Sequence, residues 1–213
     1  RAVLNLPSML LYFSALVMLP IEKVTAISFV VPFFVTILAV LFLGEKIYIY
    51  RTLALILGFI GMIVILRPGI IDISIGVYMA LASSLMWSVV IIITKSIAKD
   101  DSSITILSYG YTIMTILSFI IALFYWQTPS LQTLIYLFFA GLSGTLLHLC
   151  INHAYKLVDV SMTQPYSFLS LIFASLVGYY VFSETPDLLT WIGASIIFLG
   201  VFIMSYREMK LDK

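Results

Sequence analysis

Charge is what this sequence has least of. Asp, Glu, Lys and Arg make up 10% of it, where a soluble domain carries about 25%. The stretch from Ser102 to Tyr155 contains none of them. Apolar residues account for 62% of the 213 positions, more than a soluble core of this length can enclose. A water-soluble globular fold is excluded. The net charge of +1 leaves no basic patch, so nucleic acid is not a partner. Cysteine is nearly absent as well: Cys150 stands alone, which rules out an internal disulfide framework.

What is present is a series of long apolar runs. A helix needs about 20 mostly apolar residues to cross a hydrocarbon core roughly 30 Å thick. Such runs fall at Ala2–Ile21, Val24–Gly44, Ile73–Thr94, Val160–Ser183 and Leu188–Tyr206. Ile47–Leu66 joins them if Arg51 snorkels to the interface. The run after Ser102 holds two spans, divided by the proline-containing turn "WQTPSLQ" at Trp126–Gln132. The expectation is an all-α integral membrane protein with eight transmembrane helices and the lipid bilayer as its surroundings. Of the eleven basic residues, only Lys23 and Arg67 then fall on one side. Cytoplasmic loops collect Lys and Arg, so both ends of the chain are expected in the cytoplasm. A miscounted span would scramble this asymmetry.

The sequence also resembles itself. An ungapped shift pairs Leu10 with Leu149, Ala15 with Ala154, Ser28 with Ser167, Phe29 with Phe168, Glu45 with Glu184, and Gly61 with Gly200. Apolar matches carry little weight, but the Glu and Gly pairs carry more. By the topology above, Glu45 and Glu184 lie on opposite sides. Repeats of opposite orientation are a mark of transporters with a midplane site between their halves. The plainer reading is a recurrent helix-end signal, with a glutamate at the interface and a glycine for close packing. Both readings stand for these residues individually.

Arg1, "AISFVVPFF" (Ala26–Phe34), "GEK" (Gly44–Lys46) and Gly58/Gly61 resemble the last three helices of an EamA repeat of the drug/metabolite transporter superfamily. Gly76, Trp87 and "PYSFLSLIFASLVGYYVFSETPDLLTWIGASI" (Pro165–Ile196) resemble a second, five-helix repeat. The resemblance implies a ten-helix, 5+5 inverted-repeat fold. Residues 1–67 would be the last three helices of the first repeat, 75–206 the whole second repeat, and 207–213 a cytoplasmic tail. A preceding N-terminal part is expected. The implied activity is carriage of a small organic metabolite, with S-adenosylmethionine uptake across a bacterial inner membrane by alternating access as the first expectation. Export of amino acids or other metabolites is the alternative. One departure stands out: Leu171 replaces the proline found at Pro32 in the first copy.

The polar residues inside the spans are the candidate site. In "LHLCINHAY" (Leu147–Tyr155), His148 and Asn152 share a helix face. His148 and His153 are about 140° apart on a helix, and no acidic residue joins them, so a metal site is set aside; no cofactor is expected. Polar groups at membrane depth face the bundle or a cavity, and both packing and cavity lining remain open for His148 and Asn152. Tyr12, Trp87, Tyr109, Gln164 and Tyr166 are their expected companions. Hydroxyls, amides and aromatic faces together suit a zwitterionic or cationic solute. Trp126 and Trp191 lie near span ends and read as interfacial belt residues. Carboxylates fall only at span ends, which favours solute exchange over proton coupling. An intramembrane enzyme lacks a nucleophile–base pair, so no enzymatic activity is expected; a non-transporting helical scaffold has no need of opposed halves. The sequence leaves the oligomeric state open.

Overall fold

The computed structural model describes residues 1–67, 74–124, 126–182 and 186–211. Those residues form helices and connecting turns, with no strand among them. The helices are α1 (Ala2–Met18), α2 (Ile21–Ser28), α3 (Val31–Leu38), α4 (Ile49–Leu66), α5 (Ile75–Ile97), α6 (Ser103–Ala122), α7 (Leu131–Leu157), α8 (Val160–Thr163), α9 (Leu169–Phe182) and α10 (Leu188–Leu211). Without water to pair with, backbone groups in an apolar chain bond within their own helix. Serine begins both helices of the uncharged stretch. Ser102 accepts the Thr105 N–H at 3.0 Å and Ser130 accepts the Thr133 N–H at 3.2 Å, as N-caps do.

Among the described residues, seven helical stretches are long and apolar enough to cross a membrane. Two of them are broken helices. α2 and α3 join through Phe29 and Val30, with Pro32 at the start of α3, and a π-helical turn extends the stretch to Leu43. Gly44 ends it in the left-handed region at φ 67°. α8 and α9 join through a 3₁₀ turn at Gln164–Phe168 that contains Pro165. The second copy therefore deviates at Pro165, and Leu171 sits in regular helix. The first apolar run is shorter than the span expected at Ala2–Ile21: it folds as a helix of 17 residues, α1, about 25 Å long.

Three contacts organise the bundle. Ser8 and Ser83 hold α1 against α5 reciprocally, the Ser8 hydroxyl donating to Ser83 O at 3.0 Å and the Ser83 hydroxyl to Ser8 O at 2.8 Å. α4 and α10 cross closely enough that a Cβ on Gly61 would lie 2.7 Å from Gly193 O, and one on Gly200 3.4 Å from Ala54 O. Small residues permit such approaches in membranes. Phe29 stacks on Phe168 with centroids 5.3 Å apart and planes at 17°; Phe168 is fully buried beside Leu55, Met62 and Ile197.

Two expectations about charge change. Arg51 does not snorkel: it is 4% exposed, because partners on two other segments meet it inside the bundle end. The stretch expected as a tail continues α10 as far as Leu211. Glu184 and Asp72 lie outside the described residues.

Candidate functional site

The broken helices α2–α3 and α8–α9 face α1, α5 and α7 across a cleft of about 1210 Å3. Among the described residues, no charged side chain lines it. Tyr12, Trp87, Gln164 and Tyr166 meet in its wall. They come from three segments, α1, α5 and the 3₁₀ turn that carries both Gln164 and Tyr166, so no single sequence window contains them.

Every serine and threonine in that wall donates its hydrogen to a backbone carbonyl. Ser8 and Ser83 bond each other's chains. Thr25 and Ser28 donate to Ile21 O and Val24 O, and Ser84 to Ala80 O. Thr163, Ser167 and Ser170 donate to Val160 O, Gln164 O and Ser167 O. This local bonding is how hydroxyls are satisfied on apolar helices. A hydroxyl that donates in this way keeps its oxygen as an acceptor. Together with the faces of Trp87, Tyr12 and Tyr166, these oxygens make an electron-rich surface without a formal charge, suited to a cation.

Behind Trp87 lies a second, smaller cavity of about 60 Å3, bounded by Arg1, Thr94, His148, Asn152 and Tyr155 among others. Trp87, Ile91, Ile151 and Tyr155 belong to both cavities and form the partition. The His148 ring meets Trp87 edge-on at 6.0 Å and Tyr111 at 6.4 Å. Asn152 is 1% exposed, and its Nδ2 has no hydrogen-bond partner. His153, by contrast, is exposed. Tyr109 is the misplaced companion, at 70% exposure and in neither cavity. Two residues along a helix turn the side chain about 200°, so Tyr111 takes the inward position. Arg1, Asn5, Ser8 and Tyr155 were not anticipated. Asn5, Ser8 and Tyr12 share one stripe of α1, a spacing that the sequence shows without saying which neighbour the stripe meets.

Gln164 is tied down: its Nε2 donates to Val160 O at 3.1 Å and Thr163 Oγ1 at 3.0 Å. Tyr166 shares a 2.7 Å hydrogen bond with Ser205. The segment carrying both is fixed at its start by a polar cluster. Glu45 accepts the Val160 and Ser161 N–H groups at 2.8 and 2.9 Å, and the Ser161 hydroxyl at 2.6 Å. Arg51 pairs with Asp159 at 2.8 Å and Glu208 at 2.7 Å. Lys95 donates to Tyr155 O and Val158 O, both at 2.6 Å. One end of the bundle is thereby closed by charge. At α4's other end Arg67 pairs with Asp187, whose carboxyl is held down at about 2 by Arg67 and Thr190. That pair is half exposed, and such pairs contribute little.

An all-helical bundle with seven candidate spans around an uncharged, aromatic-lined cleft defines a multi-pass membrane protein. The chain belongs to the EamA-like transporter family, whose model matches residues 2–67 and 74–206. It is 34% identical over 191 residues to an S-adenosylmethionine uptake transporter of Rickettsia bellii, covering 90% of this chain and 66% of that protein. It is 35% identical to the corresponding protein of Rickettsia felis, covering 90% and 65%. A riboflavin transporter of Vibrio cholerae is 31% identical, covering 91% and 65%. The chain thus spans about two thirds of the length of these relatives. A protein of known crystal structure shares the fold at a TM-score of 0.75 and 17% identity, over 93% of this chain and 73% of its own.

Proposed function

We propose that this chain carries S-adenosylmethionine across a bacterial inner membrane by alternating access around the uncharged cleft. One observation carries the reading: relatives named for this uptake are 32–35% identical over 90% of the chain. The cleft's chemistry agrees with it. A sulfonium matches the lone pairs and aromatic faces, and an adenine matches Trp87 and Tyr166 by stacking. Tyr12, Trp87, Gln164 and Tyr166 are the proposed contacts in the cleft, with His148 and Asn152 behind it. Exchange for another solute is the proposed mode, since no carboxylate among the described residues lines the cleft. The test is uptake of labelled S-adenosylmethionine, riboflavin and amino acids by cells expressing the protein. Uptake of riboflavin or amino acids in its place overturns the substrate.

The proposed architecture has eight spans. Residues 1–67 form three helices of a first repeat, 75–206 the five helices of an inverted second, and both ends face the cytoplasm. Support comes from residues paired by the sequence shift. Phe29 stacks on its counterpart Phe168. The Gly61–Gly193 approach reappears as Gly200–Ala54 with the partners exchanged, as a two-fold axis between α4 and α10 requires. The separate family matches at 2–67 and 74–206 agree.

Two measurements check this reading. Cys150 is the single cysteine, so a Cys150→Ser background makes added cysteines unique reporters. An impermeant maleimide is expected to label Thr128→Cys from outside and to spare Asp101→Cys until cells are opened; the reverse pattern removes the inverted topology. Trp87→Leu is expected to weaken S-adenosylmethionine uptake by about 1–3 kcal/mol, roughly 5- to 150-fold in KM, with little change for a small amino acid. An unchanged KM removes Trp87 from the site.

A further inference from the structure

The small cavity behind Trp87 differs in kind from the cleft it adjoins. The cleft presents acceptors and aromatic faces; the cavity presents donors and a positive charge. Asn152 Nδ2 is buried and unpaired, an arrangement that costs stability unless a ligand or water completes it. Arg1 lines the same cavity. It is held over α6, donating to Ile106 O at 3.3 Å, and a Cβ on Gly110 would lie 3.5 Å from it. Among the described residues, no carboxylate lines the cavity to neutralise that charge.

We propose that this cavity is a carboxylate subsite for the transported solute, with Asn152 and Arg1 as its donors. At about 60 Å3 against about 1210 Å3 for the cleft, it is the smaller of the two spaces and suits a small polar group beside Asn152 better than a ring system. A guanidinium beside an amide N–H is a strong combination for that group, because charge-assisted hydrogen bonds exceed neutral ones. Trp87 and Tyr155 stand on the boundary. A solute whose cationic centre rests in the cleft then places its carboxylate a few bonds away, across that boundary. The substrate class is a zwitterion carrying an α-amino acid group and an aromatic base. This rests on the substrate reading above and adds a selection that riboflavin, which has no carboxylate, does not meet.

The experiment is binding of labelled S-adenosylmethionine to purified protein, competed by unlabelled S-adenosylmethionine and by its decarboxylated form. The latter keeps the adenine, sulfonium and amine. The parent is expected to prefer the carboxylated ligand by about tenfold or more. In Asn152→Leu and Arg1→Gln the preference falls to within about twofold, through weaker binding of S-adenosylmethionine alone. Unchanged affinity for the decarboxylated ligand shows that the variants are folded. Equal affinities in the parent overturn the subsite and leave the substrate reading standing. A preference that survives both substitutions also overturns it, placing the carboxylate elsewhere. If S-adenosylmethionine does not bind, the substrate reading falls. Methionine against its decarboxylated amine then decides the subsite separately: a preference lost in Asn152→Leu upholds it, and none overturns it.

Discussion

Arg51→Leu is expected to cost the folded protein about 3–5 kcal/mol, the usual consequence of removing one partner from a buried ion pair. Arg51 Nε donates to Glu208 at 2.7 Å, and its Nη1 to Asp159 at 2.8 Å and Ser161 at 2.9 Å. The Glu208 side chain is 9% exposed, so leucine at position 51 leaves a carboxylate with neither water nor cation. Asp159 is 44% exposed and recovers hydration, which puts most of the cost on Glu208. The double variant Arg51→Leu/Glu208→Leu removes both charges and is expected to regain most of the loss, since apolar replacement of a whole buried pair is often neutral. Asp159→Asn alone is expected to have a small effect. Thermal unfolding of the purified protein in detergent ranks the three. If the single variant melts with the parent, or the double variant is worse than the single, the pair does not hold this end of the bundle.

That cluster also marks where the sequence stopped being informative. Scarce charge identified the class of protein, and most span positions, because hydropathy sums along the chain without knowing partners. The same logic sends each Lys or Arg to a span boundary or, for Arg51, outward to the interface. Hydropathy ends a span at Thr94 and puts Lys95 beyond it, yet α5 runs to Ile97, because the Lys95 ammonium folds onto carbonyls at the end of α7. Snorkelling would carry Arg51 outward, and it reaches in. In both cases the partner lies far away in sequence, so no local window contains it. The site shows the same division. Trp87, His148 and Asn152 were legible as polar or aromatic residues at mid-span. The choice between Tyr109 and Tyr111 required the rotation of α6, and Asn5 and Ser8 required knowing which stripe of α1 meets α5.

The α4–α10 crossing gives the sharpest packing test. Gly61→Val is expected to destabilise the protein by about 3 kcal/mol or more, the upper range for overpacking a tight contact. A Cβ at position 61 would lie 2.6 Å from Ile197 Cγ1 and 2.7 Å from Gly193 O. The isoleucine can rotate, but the carbonyl is backbone. The helices therefore have to separate, and the neighbouring burial of Met62 and Ile197 is lost with them. Gly193→Ala meets the reciprocal obstacle, Gly61 O at 2.7 Å, and is expected to be nearly as damaging. Gly200→Ala meets Leu57 Cβ at 3.0 Å and Ala54 O at 3.4 Å, contacts that a shift of a few tenths of an ångström relieves. The expected order of melting temperatures is parent, then Gly200→Ala, then Gly193→Ala, then Gly61→Val. The order matters more than any single value, because it follows the distances to backbone atoms. Should Gly200→Ala prove the most damaging of the three, the close approach of these helices lies nearer Ala54 than Gly61, and the crossing described here is misplaced.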